Sequence, residues 1–360
     1  MEVFSCKTKI ISGPGAVSYL TEMGTKKLFM VADPYFAENG EAKRIAALSG
    51  AEEIGYFTRI QPDPSAELAA EGTAQLRAFA PDTVVALGGG STLDCAKAMV
   101  YFSGLPMRLV AIPTTSGSGS EVTDFAILTH KEQKHPLVDE KLRPDVAVLD
   151  GDLLRKLPPK LVADTGFDAL SHAVEAFVAT GSGEITDSLA KSAFCSVFGS
   201  LSASFSGNIS VRQRLHTASC MAGLAFTQAG LGLCHAMAHT LGGIFHIPHG
   251  RLNAILLPAV IRLNANICQE KYASLARSAG IGGSADSIAV RNLQNALIRL
   301  RTELKLPATL AQAGADPREL WHLTDSIVEN TLKDPCCKTN PLLVEDFMVR
   351  RVLSEVAGRV

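Results

Sequence analysis

The sequence lacks the features that mark nucleic-acid-binding, membrane and secreted proteins. Its 34 Lys and Arg residues nearly balance its 36 Asp and Glu residues, and the formal net charge is −2. Without a basic excess, neither nucleic acid nor an anionic membrane is expected as a partner. No apolar run reaches the ~20 residues of a membrane-spanning helix, and the first residues lack the charged-then-apolar profile of a secretory signal. These absences predict a cytoplasmic protein.

Cysteine is also scarce. Eight cysteines in 360 residues are too few for a disulfide framework, and six of them show no paired spacing. The other two, Cys336 and Cys337, are adjacent, which suits neither an ordinary disulfide nor a zinc knuckle. We therefore expect all eight to be reduced thiols, mostly small core residues. Any bound metal is then predicted to have no sulfur ligand.

Length and pattern predict two domains, because 360 residues exceed one ordinary core. In the N-terminal part, apolar strands at 27–33, in DTVVALGGG and in MRLVAIP alternate with helical patterns at 41–48, at 66–80 and in STLDCAKAMVYF. This alternation predicts a Rossmann-like α/β domain with a parallel sheet over residues 1–155. From about residue 153 only Ala- and Leu-rich helical segments follow, among them 253–266, 270–279 and 317–329, which predicts an all-helical domain over residues 156–360.

The predicted sheet carries polar loops at its strand ends, where such sheets bind ligands. After the second strand come Gly88, Gly89 and Gly90, followed by Ser91 and Asp94 at a helix start. Glycines there let backbone N–H groups approach a pyrophosphate, although they can also serve the turn alone. The third strand leads into PTTSGSGSE, whose hydroxyls suit ribose and amide groups; these are Thr114, Thr115, Ser116, Ser118 and Ser120. Together the two loops predict a dinucleotide site.

Asp33 ends the first of these strands. A carboxylate at that place can accept from a ribose hydroxyl and repel a 2′-phosphate, which favours NAD over NADP. The alternative is a turn residue before Pro34.

The helical part concentrates histidine in one apolar stretch. Residues 230–258 hold four of the nine histidines, His235, His239, His246 and His249. Buried imidazoles need partners, and a metal ion would be one. His235 and His239 share a helix face, whereas Pro248 is expected to break the helix and bring His249 in from a following segment.

A carboxylate and a further imidazole come from an earlier helix. Asp168 and His172 are four residues apart and so share a face, although a surface pair or a satisfied core histidine is the alternative. With His235 and His249 they make a set of one oxygen and three nitrogens. This set suits Fe²⁺ or Zn²⁺, and the lack of thiolate argues against a structural zinc site.

The segments GGGSTLD, AIPTTSGSGSEVT, TGFDALSHAVEAF and GLGLCHAMAHTLGGIFHIPHG resemble the iron-containing (group III) alcohol dehydrogenase family. Within it, QPDPS, KHPL and FTQAGLGL are most similar to the propanol dehydrogenases of bacterial microcompartments. The resemblance implies a dehydroquinate synthase-like fold, a homodimer, and a metal held by Asp168, His172, His235 and His249 in a cleft between the domains. It also implies NAD contacts from these residues: Asp33, Gly89, Gly90, Ser91, Asp94, Thr114, Thr115, Ser118 and Lys134.

These residues predict reversible hydride transfer between NAD(H) and a short primary alcohol or aldehyde, with the cation as Lewis acid. His239 is the candidate proton relay between substrate oxygen and solvent, with a structural role as the alternative. Three rival hypotheses are a dehydroquinate synthase-like lyase, a glycerol- or propanediol-type polyol dehydrogenase, and a catalytically silent or shell-associated metal-binding module. The lyase needs a basic cluster for its phosphate substrate, and residues 230–258 offer only Arg251. The polyol enzyme typically has a shorter ligand set.

Overall fold

The computed structural model describes residues 2–131 and 133–358. The chain divides into two compact units. One is Ser5–Leu157, and the other comprises residues 158–358 together with residues 2–4. Each unit is described by itself below.

The unit Ser5–Leu157 is built on a parallel sheet of six strands in the order β1-β8-β5-β4-β2-β3. These strands are β1 (Lys9–Ser12), β2 (Lys27–Ala32), β3 (Glu53–Phe57), β4 (Thr83–Gly88), β5 (Arg108–Pro113) and β8 (Val146–Leu149). The helices of this unit are α1 (Pro34–Glu38), α2 (Glu41–Leu48), α3 (Ala66–Phe79) and α4 (Gly90–Ser103). Shorter 3₁₀ helices span Ala16–Glu22, Glu140–Leu142 and Gly151–Leu154.

The central strands are apolar throughout because both faces of the sheet are covered. On β4, Val84 and Ala86 pack in one buried cluster with residues of α3 and α4. The alternate residues Val85 and Leu87 pack in a second cluster with residues of α2. Successive side chains of a strand point to opposite faces of the sheet. A strand that is apolar on both faces therefore lies between two layers of helices in an α/β unit.

A separate two-stranded antiparallel sheet is formed by β6 (Phe125–His130) and β7 (Gln133–Val138), which lie between β5 and β8 in the sequence. The sequence did not predict this sheet. Its strands pair from Phe125 with Val138 to His130 with Gln133. Along β6, residues Ala126 and Leu128 are buried and their neighbours are more exposed, which is the alternation of a half-buried strand.

The second unit is helical. Its helices are α5 (Pro159–Val178), α6 (Glu184–Phe205), α7 (Arg212–Ala229), α8 (Leu233–Phe245), α9 (His249–Ser278), α10 (Asp286–Glu303), α11 (Leu310–Ala313), α12 (Pro317–His322), α13 (Thr324–Lys333) and α14 (Asp346–Val356). Two 3₁₀ helices span Ile209–Val211 and Pro335–Thr339. Helix α5 is buried along most of its length and packs against α6, α7 and α9. The predicted fold class, a parallel α/β region followed by a helical region, is confirmed.

Two helix boundaries differ from the predictions. The segments predicted at 253–266 and 270–279 form one 30-residue helix, α9, with a kink where Cys268 leaves helical geometry. The single segment predicted at 317–329 is instead α12 and α13, joined at Leu323. No single helix in the described part of the chain is long and apolar enough to cross a bilayer; one pair, Ile209–Ala229 with Leu233–Phe245, meets both criteria together but is bent by 103°.

Candidate metal centre and cofactor loops

Helix α5 contributes three buried polar side chains on one face. Asp168, His172 and Glu175 are spaced by four and three residues, and their residue exposures are 8%, 5% and 3%. Polar groups this deeply buried need partners, and the structure provides them from α8 and α9. The spacing along α5 therefore places three polar side chains next to one another among helices that otherwise pack through apolar residues.

Helix α9 begins at His249, as the position of Pro248 predicted. Helix α8 ends with His246 in the left-handed conformation (φ 52°), and Pro248 precedes the first turn of α9. A Cβ on Gly250 would lie 1.8 Å from the carbonyl oxygen of Asp164 and 3.0 Å from Cβ of Asp168. Only glycine therefore lets α9 start this close to α5, and the close approach places His249 beside Asp168.

Three of the four predicted metal ligands converge. Asp168 Oδ1 lies 3.9 Å from His235 Nε2 and 3.6 Å from His249 Nε2, and the three ligand atoms all lie within 4.8 Å of one another. Donors ~2.0–2.2 Å from a tetrahedral ion stand about 3.4 Å apart. The observed separations are slightly wider than this value, so the three donors match a divalent cation with a small inward adjustment.

His172 lies beside this group. Its ring stacks on His235 with centroids 4.5 Å apart and on Phe226 with centroids 4.3 Å apart. Its nitrogens do not fall within 4.8 Å of all three ligand atoms, since the cluster found among the described residues contains only Asp168, His235 and His249. The structure thus assembles three predicted ligands and stacks the fourth residue against one of them.

Glu175 is a functional residue that the sequence reasoning missed. Its Oε2 lies 2.6 Å from Nδ1 of His235, and its carboxylate accepts from the backbone N–H groups of Gly232 and Cys234. A Cβ on Gly232 would lie 2.8 Å from Oε1 of Glu175 and 2.7 Å from Oδ1 of Asn340, so a larger residue at that helix start would displace these two side chains. By engaging Nδ1, Glu175 turns Nε2 of His235 toward Asp168, as the outer partners of metal-binding histidines do.

The electrostatics of the group favour a cation. Burial raises the pKa of Glu175 to about 7, although three backbone N–H donors act in the opposite direction. Burial also raises the pKa of Asp168, and it holds the pKa of His235 well below its usual range, with His172 and His239 adding to that effect. A neutral imidazole is the form that ligates metal, and a buried cation would offset the cost of two buried carboxylates.

Asn253 on α9 is a second residue that was not predicted. Its side chain is fully buried, and Nδ2 donates to Oδ1 of Asp168 at 2.9 Å. The same nitrogen lies 3.2 Å from Nε2 of His235. Asn253 follows His249 by four residues, so one face of α9 supplies both a predicted ligand and the group that orients Asp168.

His239, the predicted proton relay, lies one turn after His235. Its Nδ1 is 2.9 Å from Oδ2 of Asp334, and its ring stacks on His249 with centroids 5.1 Å apart. The pKa of Asp334 lies below its usual range: burial acts against the charged form, but hydrogen bonds from His239 and the N–H of Cys336 outweigh it. The contact with a charged Asp334 fixes the ring of His239 and directs Nε2 away from that carboxylate.

In the other unit, the two predicted cofactor loops lie at adjoining strand ends. The N–H of Thr114 donates to the carbonyl of Gly88, and a Cβ on Gly89 would lie 3.5 Å from the side chain of Thr115. A Cβ on Gly90 would meet Ser118 at 3.0 Å. The loops after β4 and β5 are therefore in contact, as their predicted positions in a parallel sheet require.

The remaining predicted cofactor residues have internal partners. Asp33 directly follows β2, the neighbour of β4, and its Oδ1 accepts from the N–H of Tyr35. Both oxygens of Asp94 are engaged, by Ser120 Oγ at 2.5 Å and by the N–H of Ile127 at 3.0 Å. Ser91 is half-buried at the start of α4, and Lys134 forms an ion pair of 2.6 Å with Asp63.

The chain resembles known alcohol dehydrogenases over nearly its whole length. It is 37% identical to the NADPH-dependent butanol dehydrogenase of Clostridium saccharobutylicum, over 94% of this chain and 93% of that protein. It is also 37% identical to the 1-propanol dehydrogenase PduQ of Citrobacter freundii, over 99% of this chain and all of the relative. Both relatives are therefore matched as whole proteins.

Solved structures agree with these relatives. An iron-containing alcohol dehydrogenase from Thermococcus thioreducens superposes with a TM-score of 0.92 at 31% identity, covering 98% of this chain and 99% of that one. A sulfoacetaldehyde reductase from Bifidobacterium kashiwanohense in complex with NAD⁺ gives 0.89 at 27% identity, covering 99% of each chain. The chain therefore shares its fold with these enzymes over nearly its whole length.

The family models divide the chain in the same way as its fold. Residues 7–151 match the model described as iron-containing alcohol dehydrogenase, and residues 162–356 match the C-terminal model of the Fe-containing alcohol dehydrogenase family. The chain belongs to the iron-containing alcohol dehydrogenase family. Its buried donors fit the group that the family implies, because one carboxylate and neutral imidazoles without thiolate suit a divalent iron or zinc ion.

Proposed function

We propose that this enzyme interconverts short primary alcohols and aldehydes with NAD(H), and that Asp168, His172, His235 and His249 hold an Fe²⁺ or Zn²⁺ ion for this reaction. The main support for the proposal is the convergence of Asp168, His235 and His249. Glu175 contacts Nδ1 of His235 and Asn253 donates to Asp168, so two of the three side chains are held in place. When bound, the cation supplies Lewis acidity toward the substrate oxygen, and NAD accepts the hydride or NADH donates it.

The chain's own residues perform the remaining tasks. Glu175 accepts from Nδ1 of His235 and thereby fixes the tautomer that offers Nε2, while burial keeps the pKa of His235 low and the ring neutral. Asp334 holds Nδ1 of His239 in the same way, which leaves Nε2 of His239 to take a proton from a substrate hydroxyl or return it. The packing of α5, α8 and α9 keeps Asp168, Glu175 and His235 away from water, while His239 and His249 remain partly exposed.

The cofactor is proposed to lie along the loops after β2, β4 and β5. Backbone N–H groups at the start of α4 and the hydroxyls of Thr114, Thr115 and Ser118 are the donors for phosphate and ribose. No side chain among the described residues caps the start of α4, which leaves its N–H groups for an anion. Asp33 favours NAD over NADP. Because one relative is named as an NADPH-dependent butanol dehydrogenase, the cofactor preference of this enzyme has to be measured.

The physiological direction proposed is aldehyde reduction that regenerates NAD⁺. Whole-length similarity to 1-propanol dehydrogenases supports a short-chain substrate such as propionaldehyde or acetaldehyde. The same resemblance leads us to propose a homodimer working among the lumen or shell proteins of a bacterial microcompartment. Light scattering of the purified protein and co-fractionation with shell proteins test these two points.

The activity is tested with anaerobically purified protein reconstituted with Fe²⁺ or Zn²⁺. NADH oxidation is followed by absorbance with propionaldehyde and acetaldehyde, and NAD⁺ reduction is followed with glycerol and propanediol. We expect aldehyde-dependent NADH oxidation that disappears on chelation and returns with metal. Protein that carries a full equivalent of metal yet oxidises no NADH with either aldehyde would refute the proposal, and a preference for glycerol or propanediol would assign the polyol activity instead.

A further inference from the structure

A second group of potential metal ligands lies next to the first and contains a thiol. One ligand atom from each of His239, Asp334 and Cys336 lies within 4.8 Å of the other two. All three residues are only partly buried, whereas Asp168 and His235 are buried. Each residue of the second group therefore has some contact with solvent, as His249 has in the first group.

The group is held in place by backbone contacts. Oδ1 of Asp334 accepts from the N–H of Cys336 at 2.9 Å, while Oδ2 lies 2.9 Å from Nδ1 of His239. Pro335 separates the two loop residues and begins the 3₁₀ helix Pro335–Thr339. Asp334 and Cys336 thus come from one rigid turn, and His239 comes from α8 on the facing side.

The donor types determine which ions fit. A nitrogen, a carboxylate oxygen and a sulfur favour Zn²⁺, or its substitute Co²⁺, over Mg²⁺ and Ca²⁺, which prefer oxygen ligands. Asp334 and a thiolate at Cys336 together neutralise a divalent charge. The filled site is therefore electrically neutral beside the Asp168, His235 and His249 group.

We propose that His239, Asp334 and Cys336 form a second metal site, which takes a thiophilic divalent cation such as Zn²⁺ and, when filled, withdraws His239 from turnover. When the cation binds, the S–H bond of Cys336 is exchanged for a sulfur–metal bond and the proton is released to water. This site departs from the expectation that no sulfur would ligate metal.

Binding is tested without any turnover measurement, so its outcome is independent of the proposed function. Anaerobic protein loaded with Fe²⁺ is titrated with Co²⁺ and followed by absorbance. A thiolate-to-cobalt charge-transfer band can arise only from a sulfur ligand, and the predicted catalytic ligands contain none. We expect the band in the wild type and in Cys337→Ser but not in Cys336→Ser.

Cys337→Ser is the matched control, because the Cys337 thiol is adjacent in sequence but donates to the carbonyl of Thr331 at 3.0 Å. Absence of the band in the wild type, or its survival in Cys336→Ser, would overturn the second site.

The inhibitory effect rests on the proposed role of His239 and is measured separately. Each variant's rate with added Zn²⁺ is expressed relative to its own zinc-free rate. Because even outer partners of a metal centre contribute about 10–100-fold in affinity, loss of the Cys336 thiolate is expected to raise the inhibition constant for Zn²⁺ by at least that factor. Equal zinc inhibition of the wild type and Cys336→Ser, with the cobalt band confirmed, would overturn the inhibitory effect alone.

Discussion

Glu175 shows how one residue can orient a predicted ligand without contacting the metal itself. Its carboxylate holds the imidazole of His235 and closes the start of α8 through the N–H groups of Gly232 and Cys234. These contacts join two tasks, helix capping and ligand orientation, in one buried side chain. A change at this position should therefore alter metal affinity even though Glu175 is not a ligand.

We expect Glu175→Gln to weaken metal binding by about 10–100-fold, because an amide has one acceptor oxygen and cannot accept both from the N–H of Cys234 and from Nδ1 of His235, as the two carboxylate oxygens do. The dissociation constant is measured by competition with a chelator whose affinity is known. Glu329→Gln is the control, since Glu329 pairs with Lys333 on an exposed face of α13. Equal metal affinity in Glu175→Gln and the wild type would show that Glu175 only caps the helix.

In turnover, His239 is expected to act through proton transfer and not as a ligand of the ion held by Asp168, His172, His235 and His249. His239→Ala should lower kcat by about 10²–10⁴-fold, which is the usual contribution of a general acid–base group, while the Fe²⁺ content of zinc-free protein is preserved. Added imidazole should restore part of the lost rate, since a small base can occupy the vacated space. A variant that loses its metal, or one that imidazole fails to rescue, would point to the structural alternative.

Lys97 gives a pH-dependent stability in the α/β unit. Its ammonium is buried and donates to Thr123 and to the carbonyl of Phe125, and burial lowers its pKa to about 8, although Asp94 and Glu121 oppose that shift. The unfolded chain thus binds more protons between pH 8 and the ordinary value of 10.5, so stability due to Lys97 rises with pH in that window.

The expected gain is about 1–3 kcal/mol relative to Lys97→Met, measured as the free energy of unfolding in denaturant at pH 7.5 and at pH 9.5. Lys134→Met, which removes a lysine paired with Asp63 near the surface, is the control and should show a smaller change. A difference between wild type and Lys97→Met that stays constant with pH would contradict this assignment.

Asp33 combines a local and a functional role. It caps α1 by accepting from the N–H of Tyr35, so any residue that cannot accept costs ~1 kcal/mol of stability. We expect Asp33→Gly to raise kcat/KM with NADPH relative to NADH by about tenfold or more, since about 1.4 kcal/mol of lost repulsion gives that factor. Asp33→Asn keeps the cap and removes the charge. An unchanged cofactor ratio in both variants would leave Asp33 as a turn residue.

At the scale of elements, the approach of α9 to α5 decides whether the site forms. Gly250→Ala would place a methyl group against the backbone of Asp164, which cannot yield as a flexible side chain does. We expect a loss of about 1–3 kcal/mol in stability and a clear loss of metal affinity. Calorimetry and chelator competition measure these two effects.

Gly243→Ala is the matched control within α8, because a Cβ there meets nothing within 4 Å. It should stabilise the helix by about 0.5–1 kcal/mol and leave metal affinity unchanged. Equal metal affinity in Gly250→Ala and Gly243→Ala would show that the approach of the two helices does not position His249.

The elements that the sequence predicted well are those with long, regular patterns. The buried strands β2, β4 and β5 appear as continuous apolar runs, and α5 and α10 carry clear helical spacing. The edge strand β3 has the pattern EIGYF with mixed burial, so its sequence carries little signal. The hairpin of β6 and β7 contains Pro136 and charged residues, which hide its alternation. Tertiary packing, not local propensity, forms these strands.

Across the whole molecule, the sequence identified the four proposed ligands but not the residues that contact them. Asp168, His172, His235 and His249 are chemically distinctive and regularly spaced, which makes them visible in the sequence. Asn253 and Asp334 are ordinary polar residues there, and only the fold places them 2.9 Å from Asp168 and His239. Glu175 carried one missed signal, its place three residues after His172 on the same face of α5.

One carboxylate and three imidazoles of the helical unit are proposed to hold the cation of an alcohol dehydrogenase. Anomalous diffraction at the iron edge, from crystals of protein loaded anaerobically with Fe²⁺, tests it most directly. We predict one strong peak within bonding distance of Asp168, His235 and His249, with His172 as the fourth ligand. A peak at another place in the chain, with these four side chains bound to no ion, would show that they are not the metal ligands.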